Sequence, residues 1–255
     1  MLRRVTLENG LGNDQIGGCG GLPPSVLAFA LGSLVTERQG DVTASAVVEQ
    51  ICDALVGEAP GAAKALVERL IACGISVDAL YDTFIPRTAA RLGELWLEDA
   101  LSFTAVTLGM ARLTEVFRGL SPSYMKARRP TGRDRRALFA LVPGEQHALG
   151  IVVAADQFQR AGWIVQVELQ ASAARLEDIV QSQRFELVGL SAGSRRVLPA
   201  LEATLDRLRG VAAPGTRFAL GGALVRGEPD LVRNLGADTD CTNVKDALYE
   251  LERTD

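Results

Sequence analysis

The chain has 255 residues, of which 47% are hydrophobic, and a formal net charge of -4 at pH 7. This length and hydrophobic content can fill one large core or two modest ones, so general disorder is excluded. The small negative charge gives no overall field that attracts nucleic acid or an anionic membrane, and no stretch approaches the ~20 apolar residues of a membrane span.

The start of the chain and its cysteines indicate the cellular compartment. Residues 1–23 contain GLGNDQIGGCGGLPP, which is too glycine-rich to order by itself, and we expect a flexible leader without the apolar core of a signal peptide. The cysteines are widely scattered, with neither C-x-x-C spacing nor a dense framework: Cys19, Cys52, Cys73 and Cys241. We therefore predict reduced thiols in a cytoplasmic protein.

Residues 24–120 show apolar positions at spacings of three and four, without strand-like alternation, and predict a helical cap domain. The predicted helices are residues 25–35, 41–56, 61–74, 76–96 and 102–117. Asp41, Ser76 and Ser102 are candidate N-caps, and Gly74 is a candidate C-terminal glycine.

The next segment, residues 121–136, combines two prolines and a glycine with a run of basic side chains. We interpret it as a solvated linker between two domains, with contact to a partner or to nucleic acid as the alternative.

Residues 137–255 alternate between short β-rich runs and helical periods, five times over. The predicted strands are ALFALV, IVQVEL, ELVGLS, RFALGG and DTDCT. Such alternation predicts a parallel sheet covered by helices on both faces. The fold class is therefore α + α/β: an N-terminal helical bundle followed by a flavodoxin-like, doubly wound, five-stranded Rossmann-like domain.

Three loops should meet at one edge of this sheet. In the common strand order 2-1-3-4-5, ligands bind outside the carboxyl ends of the strands, where the winding direction reverses. His147, the only histidine of the chain, follows the first strand, Ser191 follows the third, and Gly221-Gly222 follow the fourth. We expect these residues to line a ligand site.

A single histidine limits the kind of metal that this site could hold. An imidazole can bind a transition metal through one nitrogen while the other donates to a carboxylate, for which Glu145 is the nearest candidate. One histidine cannot build a zinc site, which needs about four ligands. It suffices for a metal that brings its own equatorial ligands, as in a corrin or a porphyrin.

These residues resemble the motifs of the cobalamin-binding domains of the methionine synthase type. That family has D-x-H-x-x-G after the first strand, S-x-L after the third and G-G after the fourth. The corresponding residues here are Glu145, His147, Gly150, Ser191, Gly193, Gly221 and Gly222. The resemblance implies that His147 is the lower axial cobalt ligand of cobalamin, whose nucleotide tail passes the serine and the glycine pair.

The resemblance extends to the helical half, because such domains often follow a helical cap that contains G-x-x-W. Gly93 and Trp96 match this motif, and the resemblance implies that Trp96 covers the upper face of the corrin. An indole in a helix is more often core than lid, and we interpret Leu101 and Phe103 as core residues first and corrin-facing residues second.

Three departures from the family pattern are visible. Glu145 replaces aspartate, which weakens but does not exclude ligation by histidine. Gly193 replaces leucine and is followed by Arg195-Arg196, which predicts a roomier and more basic loop. Light-sensing relatives carry Glu-His where this chain has Val106-Thr107, so an upper histidine ligand is not available there.

The chain most resembles the AerR/PpaA group, which are antirepressors of photosynthesis genes that act on a transcriptional repressor of the CrtJ/PpsR type. This implies a non-enzymatic cobalamin sensor that responds to light or to redox state, with hydroxocobalamin or adenosylcobalamin bound. The partner would be that repressor, and any DNA contact would be made through it. The alternatives are a corrinoid carrier for methyl transfer, a haem sensor and a scaffold without a cofactor.

Overall fold

A computed structural model of the protein describes residues 37–59, 61–127 and 134–253. The chain divides into two compact units, the first ending at Leu120 and the second beginning at Ser121. The predicted leader and the first predicted helix, residues 25–35, lie outside the described residues.

The first unit is helical, as its apolar periodicity predicts. Its elements are α1 (Glu37–Val56), α2 (Ala62–Ala72), α3 (Val77–Ala79), a π-helical segment (Leu80–Phe84), α4 (Ile85–Leu97) and α5 (Phe103–Met125), the last of which continues into the second unit. α1 packs against α2 and α4. The longer helices α1, α2, α4 and α5 each contribute fully buried side chains to the core, among them Leu55, Leu70, Leu92 and Leu113.

The predicted helix ends are mostly confirmed. Ser76 Oγ accepts the N–H of Ala79 at 3.0 Å, so Ser76 is an N-cap, and Ser102 Oγ likewise accepts a backbone N–H from the first turn of α5. Gly74 has φ 98° and follows α2 in a Schellman arrangement. The N-cap prediction for Asp41 is wrong, because α1 already includes residue 41 in its helical backbone.

The predicted solvated linker differs from the structure at both ends. α5 continues to Met125 and includes Pro122, which lies in its last turn. The Arg135 side chain is only 8% exposed: its Nε lies 3.1 Å from Glu186 Oε2 and its guanidinium lies 4.3 Å from the ring centroid of Trp163. A buried guanidinium needs such partners. Arg135 is therefore a structural residue of the second unit rather than a solvated one, and residues 128–133 are outside the described part.

The second unit is a doubly wound α/β domain, which confirms the predicted fold class. Its strands are β1 (Arg136–Leu141), β2 (Ile164–Glu168), β3 (Leu187–Ser191), β4 (Arg217–Gly221) and β5 (Thr239–Asp240). Its helices are α6 (Leu149–Arg160), α7 (Ala173–Ser182), α8 (Leu198–Val211), α9 (Ala223–Gly227), α10 (Asp230–Asn234) and α11 (Val244–Arg253), with a 3-10 turn at Arg195–Val197. Within the described residues the strands pair in parallel, in the order β2-β1-β3-β4-β5.

Both faces of the central strands β1, β3 and β4 are buried, which explains why these strands are almost uniformly apolar in sequence. The edge strand β2 is only partly buried and contains Gln166 and Glu168. Alternate residues of β1 point to opposite faces. Leu138 and Ala140 belong to a core that includes residues of α7 and α8, whereas Ala137 and Phe139 belong to a second core with residues of α6 and α11. The sheet is therefore held from both sides, and its carboxyl edge is a rigid base for loops.

The structure differs in part from the prediction that the cysteines are reduced. Cys52 and Cys241 are free, but Cys73 is disulfide-bonded, so the expectation of reduced cysteines is wrong at that position. Burial raises the pKa of the Cys52 thiol to about 12, which leaves it protonated and unreactive at neutral pH. Among the described helices, none has the length and apolar character needed to span a membrane.

Gly189, in the centre of β3, allows the aromatic core beneath the sheet to form. A Cβ at this position would lie 2.6 Å from two ring carbons of Phe139, and that ring is itself packed against Phe158. We expect Gly189→Ala to lower the free energy of unfolding by about 1–3 kcal/mol through overpacking, measured by urea denaturation.

Gly210→Ala in α8 is the matched control, because nothing lies within 4 Å of a Cβ at Gly210. There we expect an increase of about 0.5–1 kcal/mol from the better helix propensity of alanine. Equal effects of the two substitutions would contradict the packing argument.

Candidate cofactor-binding site

The three loops that the sequence predicts to converge do so at the carboxyl edge of the sheet. Leu141 at the end of β1 pairs with Ser191 at the end of β3, and Ser191 pairs with Gly221 at the end of β4. The central strands therefore end at the same level. The loops that follow them begin side by side, at the position where a doubly wound sheet binds ligands.

A tight turn carries the chain from β1 to the predicted histidine motif. The N–H of Glu145 donates to the carbonyl of Val142 at 3.0 Å, and Gly144, the third residue of this turn, has φ 89°. Proline at the second position and a glycine with positive φ at the third are typical of a type II turn. The sequence VPGE thus specifies the turn that places Glu145 directly after the strand.

The Glu145 carboxylate is the centre of a hydrogen-bond network. Its Oε1 lies 2.5 Å from Nδ1 of His147 and accepts the backbone N–H groups of Gln146 at 2.7 Å and His147 at 2.9 Å. Its Oε2 accepts the backbone N–H of Gly193 at 2.5 Å. The Glu145 side chain is only 3% exposed, so these donors replace the water that it has lost.

The electrostatics of this carboxyl follow from those bonds. Burial by itself would raise the pKa of Glu145, but hydrogen bonds from the backbone of His147 and Gly193, from the imidazole and from the Gln146 N–H together hold the pKa below its usual value. Glu145 is therefore an anion at neutral pH and a strong acceptor for the imidazole.

His147 itself faces solvent. Its side chain is 84% exposed, although its partner carboxylate is buried. With Nδ1 bonded to Glu145, the neutral ring presents Nε2, which is the arrangement of a metal-binding histidine oriented by a carboxylate. Among the described residues no group of three or more His, Cys, Asp or Glu side chains could hold a metal. The exposed, oriented imidazole offers one nitrogen donor, which fits a metal centre that takes one protein ligand and brings the others.

The β3 and β4 loops are joined through their backbones. The N–H of Ala192 donates to the Gly221 carbonyl and the N–H of Leu224 donates to the Ala192 carbonyl, both at 3.1 Å. Gly222 has φ 97°, and a Cβ there would lie 2.2 Å from the Ala192 oxygen. Glycine at 222 is therefore required by the chain itself, before any ligand is considered.

The other predicted site residues are Gly150 and three residues of the helical unit. Gly150 is exposed in the first turn of α6, and nothing lies within 4 Å of a Cβ built there. Trp96, Leu101 and Phe103 belong to the helical unit, at the junction of α4 and α5. Trp96 is 47% exposed and Phe103 is 73% exposed, so the interpretation of Phe103 as a core residue first is wrong. Leu101 is half-buried.

The loop after β3 is less basic than the sequence suggests. Arg195 forms a two-pronged ion pair with Glu228, with nitrogen–oxygen distances of 2.7 and 2.5 Å. The charge of Arg195 is thus balanced by Glu228, a residue that follows α9, so Arg195 does not make the loop more basic as expected. The sequence does not indicate that Glu228 pairs with Arg195, because the two residues lie 33 positions apart.

A separate cavity of about 780 Å³ opens at the other edge of the sheet. It is lined by charged side chains near the amino ends of the strands, including Arg136, Glu186 and Arg217. It contains none of the predicted site residues, so the carboxyl edge remains the candidate site.

The fold and this site define the class of protein to which the second unit belongs. Residues 135–251 match the family model of the B12 binding domain, a segment that contains the whole sheet and the three loops. The α/β unit is therefore a B12-binding domain, which confirms the resemblance drawn from the His147 motif.

Known proteins resemble the chain beyond this unit. An uncharacterized 20.5 kDa protein in the bchF-crtJ intergenic region of Rhodobacter capsulatus is 25% identical over 173 residues, which are 68% of this chain and 90% of that protein. The HTH-type transcriptional repressor CarH of Myxococcus xanthus is 30% identical over 149 residues, 57% of this chain and 48% of CarH. The chain thus spans about half the length of CarH.

A solved structure shows the same fold. The Methanosarcina barkeri monomethylamine corrinoid protein aligns with a TM-score of 0.69, covering 82% of this chain and 98% of its own, at 14% identity. At this identity the likeness concerns the fold alone: helices first, then a doubly wound sheet.

Gly222→Ala should disrupt the site loops, because it forces a side chain against the Ala192 backbone at a backbone conformation that only glycine adopts readily. We expect a loss of about 2–5 kcal/mol in the free energy of unfolding, measured by urea denaturation. The neighbouring Gly221→Ala is the control, because its Cβ would only touch the Cys241 carbonyl at 3.4 Å. A similar loss in both variants would argue against the close approach at Gly222.

Glu145→Gln tests the charged network through its pH dependence. A carboxyl whose pKa is lowered in the folded state stabilises the protein fully above its unfolded-state pKa, and this contribution is lost as pH falls through the folded-state pKa. The difference in unfolding free energy between wild type and Glu145→Gln should thus be present near neutral pH and shrink below about pH 4.5. A difference that persists unchanged to about pH 2.5 would show that the carboxylate charge is not responsible.

Proposed function

We propose that this protein is a cobalamin-binding regulator that transmits the state of its cofactor to a transcriptional repressor. The observation that carries the proposal is the exposed imidazole of His147, held through Nδ1 by the buried Glu145 carboxylate at the ligand edge of a B12-binding domain. When bound, cobalamin would supply a cobalt centre with an exchangeable, light-sensitive ligand bond.

The residues at the sheet edge have distinct parts in this proposal. His147 would hold the metal through Nε2, and Glu145 would keep the proton on Nδ1 so that Nε2 retains its lone pair. Ser191 and Gly221-Gly222 would line the path of the nucleotide tail. Gly150 suits close approach of a ligand, because no residue of the described chain requires glycine there.

The helical unit offers apolar surface for a flat macrocycle. Trp96, Leu97 and Phe103 are all exposed, and Leu97 reaches 77%. Large exposed apolar side chains in one region are typical of a binding surface. We assign the proposed corrin contact to Trp96 and Phe103, with half-buried Leu101 beside them.

A regulatory role is supported by the two sequence relatives. One is named as a transcriptional repressor, and the other is named for its position beside crtJ. By this proposal the partner is a repressor of the CrtJ/PpsR type, and light or redox state is the signal. The partner must have different affinities for the two cofactor states, because only a difference in affinity can shift the equilibrium.

Absorption spectroscopy tests the proposal directly. Purified protein is incubated with hydroxocobalamin, adenosylcobalamin or haemin, freed of unbound ligand, and measured in the dark and after illumination. We expect retained corrin bands in the wild type that shift in His147→Ala, since the nitrogen that would hold the metal is lost. Arg207→Ala is the control, because it removes an exposed ion pair between α8 and α7 and should leave the bands unchanged.

The outcomes separate the candidate functions. A change on illumination, together with repressor binding that differs between dark and light, supports the light sensor. A Soret band with haemin and no retained corrin would show that the cofactor is haem and not cobalamin. Methyl transfer through the bound corrinoid with a purified methyltransferase would instead make the protein a carrier. Retention of neither cofactor would contradict the proposal and leave a scaffold.

A further inference from the structure

We infer that Gly193 is a positioning residue for His147, and that glutamate at 145 and glycine at 193 form a coupled pair in which each requires the other. This deepens the site and rests on the proposed function only for the role of His147 as a metal ligand. Three groups in contact form the pair and its target: the Glu145 carboxylate, the His147 imidazole and the Gly193 N–H.

The carboxylate of Glu145 spans two loops. One oxygen lies 2.5 Å from Nδ1 of His147 on the β1 loop, and the other accepts the Gly193 N–H at 2.5 Å on the β3 loop. These bonds fix both oxygens, so the plane of the carboxylate cannot rotate without breaking one of them. The Gly193 N–H therefore contributes to the orientation of the imidazole through the Glu145 carboxylate.

Glycine is the residue that permits this arrangement. A Cβ at position 193 would lie 2.8 Å from Oε2 of Glu145, 3.2 Å from its Cδ and 3.0 Å from Nδ1 of His147. All three atoms belong to the orienting pair. Even alanine would push the carboxylate or the ring from its place, and the buried Glu145 side chain has little freedom to yield.

The length of the glutamate explains why the space is filled. An aspartate at 145 has one methylene fewer, which withdraws its oxygens by about 1.5 Å. It would leave room for a side chain at 193 but would not reach both His147 Nδ1 and the Gly193 N–H. The two departures from the S-x-L and D-x-H patterns thus compensate each other. The expectation of a roomier loop at Gly193 is wrong, because Glu145 occupies that room.

The test uses cofactor-free protein with isotope-labelled histidine. Because His147 is the only histidine, its ring gives one set of NMR signals, which report which nitrogen carries the proton. At a pH where the ring is neutral, we expect the Nδ1–H tautomer in the wild type and a shift toward the Nε2–H tautomer in Gly193→Ala. Gly150→Ala is the matched control, since its Cβ meets nothing within 4 Å.

A double-mutant cycle then tests the coupling. We expect Gly193→Ala to lower Tm by about 2–8 °C in the wild type and by less than half of that in the Glu145→Asp background. If Gly193→Ala alone does not fold, folding of the Glu145→Asp/Gly193→Ala variant supports the coupling, and failure of both to fold overturns it.

Two further results would overturn the inference: a wild-type tautomer in Gly193→Ala, or the same fall in Tm in both backgrounds. A tautomer shift in Gly150→Ala as large as in Gly193→Ala would also overturn it. None of these measurements needs cobalamin. If the protein binds no corrin but the coupling is observed, the proposed function fails and this inference stands. If cobalamin binds through His147 but no coupling is observed, the proposed function stands and this inference fails.

Discussion

The arrangement of the site depends on one buried carboxylate and on where its hydrogen-bond donors come from. A carboxylate that loses its water must be satisfied by the protein, and Glu145 is satisfied by donors on its own loop and by one from the loop after β3. This requirement joins two loops that are 48 residues apart in sequence. It also places the imidazole of His147 in solvent with its Nδ1 already engaged.

The sheet makes this joining possible. Parallel strands with both faces buried form a stiff layer, and the register from Leu141 through Ser191 to Gly221 brings three loops to one level. Because β1 lies between β2 and β3, the helices that follow β1 and β3 pack on opposite faces. The loops that lead to them separate at that point, and a ligand can enter between them.

The two units have surfaces of different chemical character. The α/β unit presents a polar edge with one oriented nitrogen donor, whereas the helical unit exposes Trp96, Leu97 and Phe103. Large exposed apolar side chains lower solubility, and a group of them is therefore typical of a binding surface.

The order of the helices and strands, several helix ends and the turn before Glu145 can be predicted from local sequence. The alternation of apolar runs determined the α/β order, the capping residues Ser76 and Ser102 determined helix starts, and the VPGE turn determined where Glu145 leaves the strand. The His147 motif also identified the family of the second unit. These features are readable because each depends on residues within a few positions of one another.

Only the tertiary structure decided the contacts that cross between segments. It showed that Gly193 holds the second oxygen of Glu145, that Glu228 neutralises Arg195, that Arg135 is buried against Trp163, and that Phe103 is exposed. In the sequence, Glu145 and Gly193 are two separate departures from the D-x-H-x-x-G and S-x-L motifs. They are one feature in space, because the extra methylene of the first fills the volume that the second leaves empty.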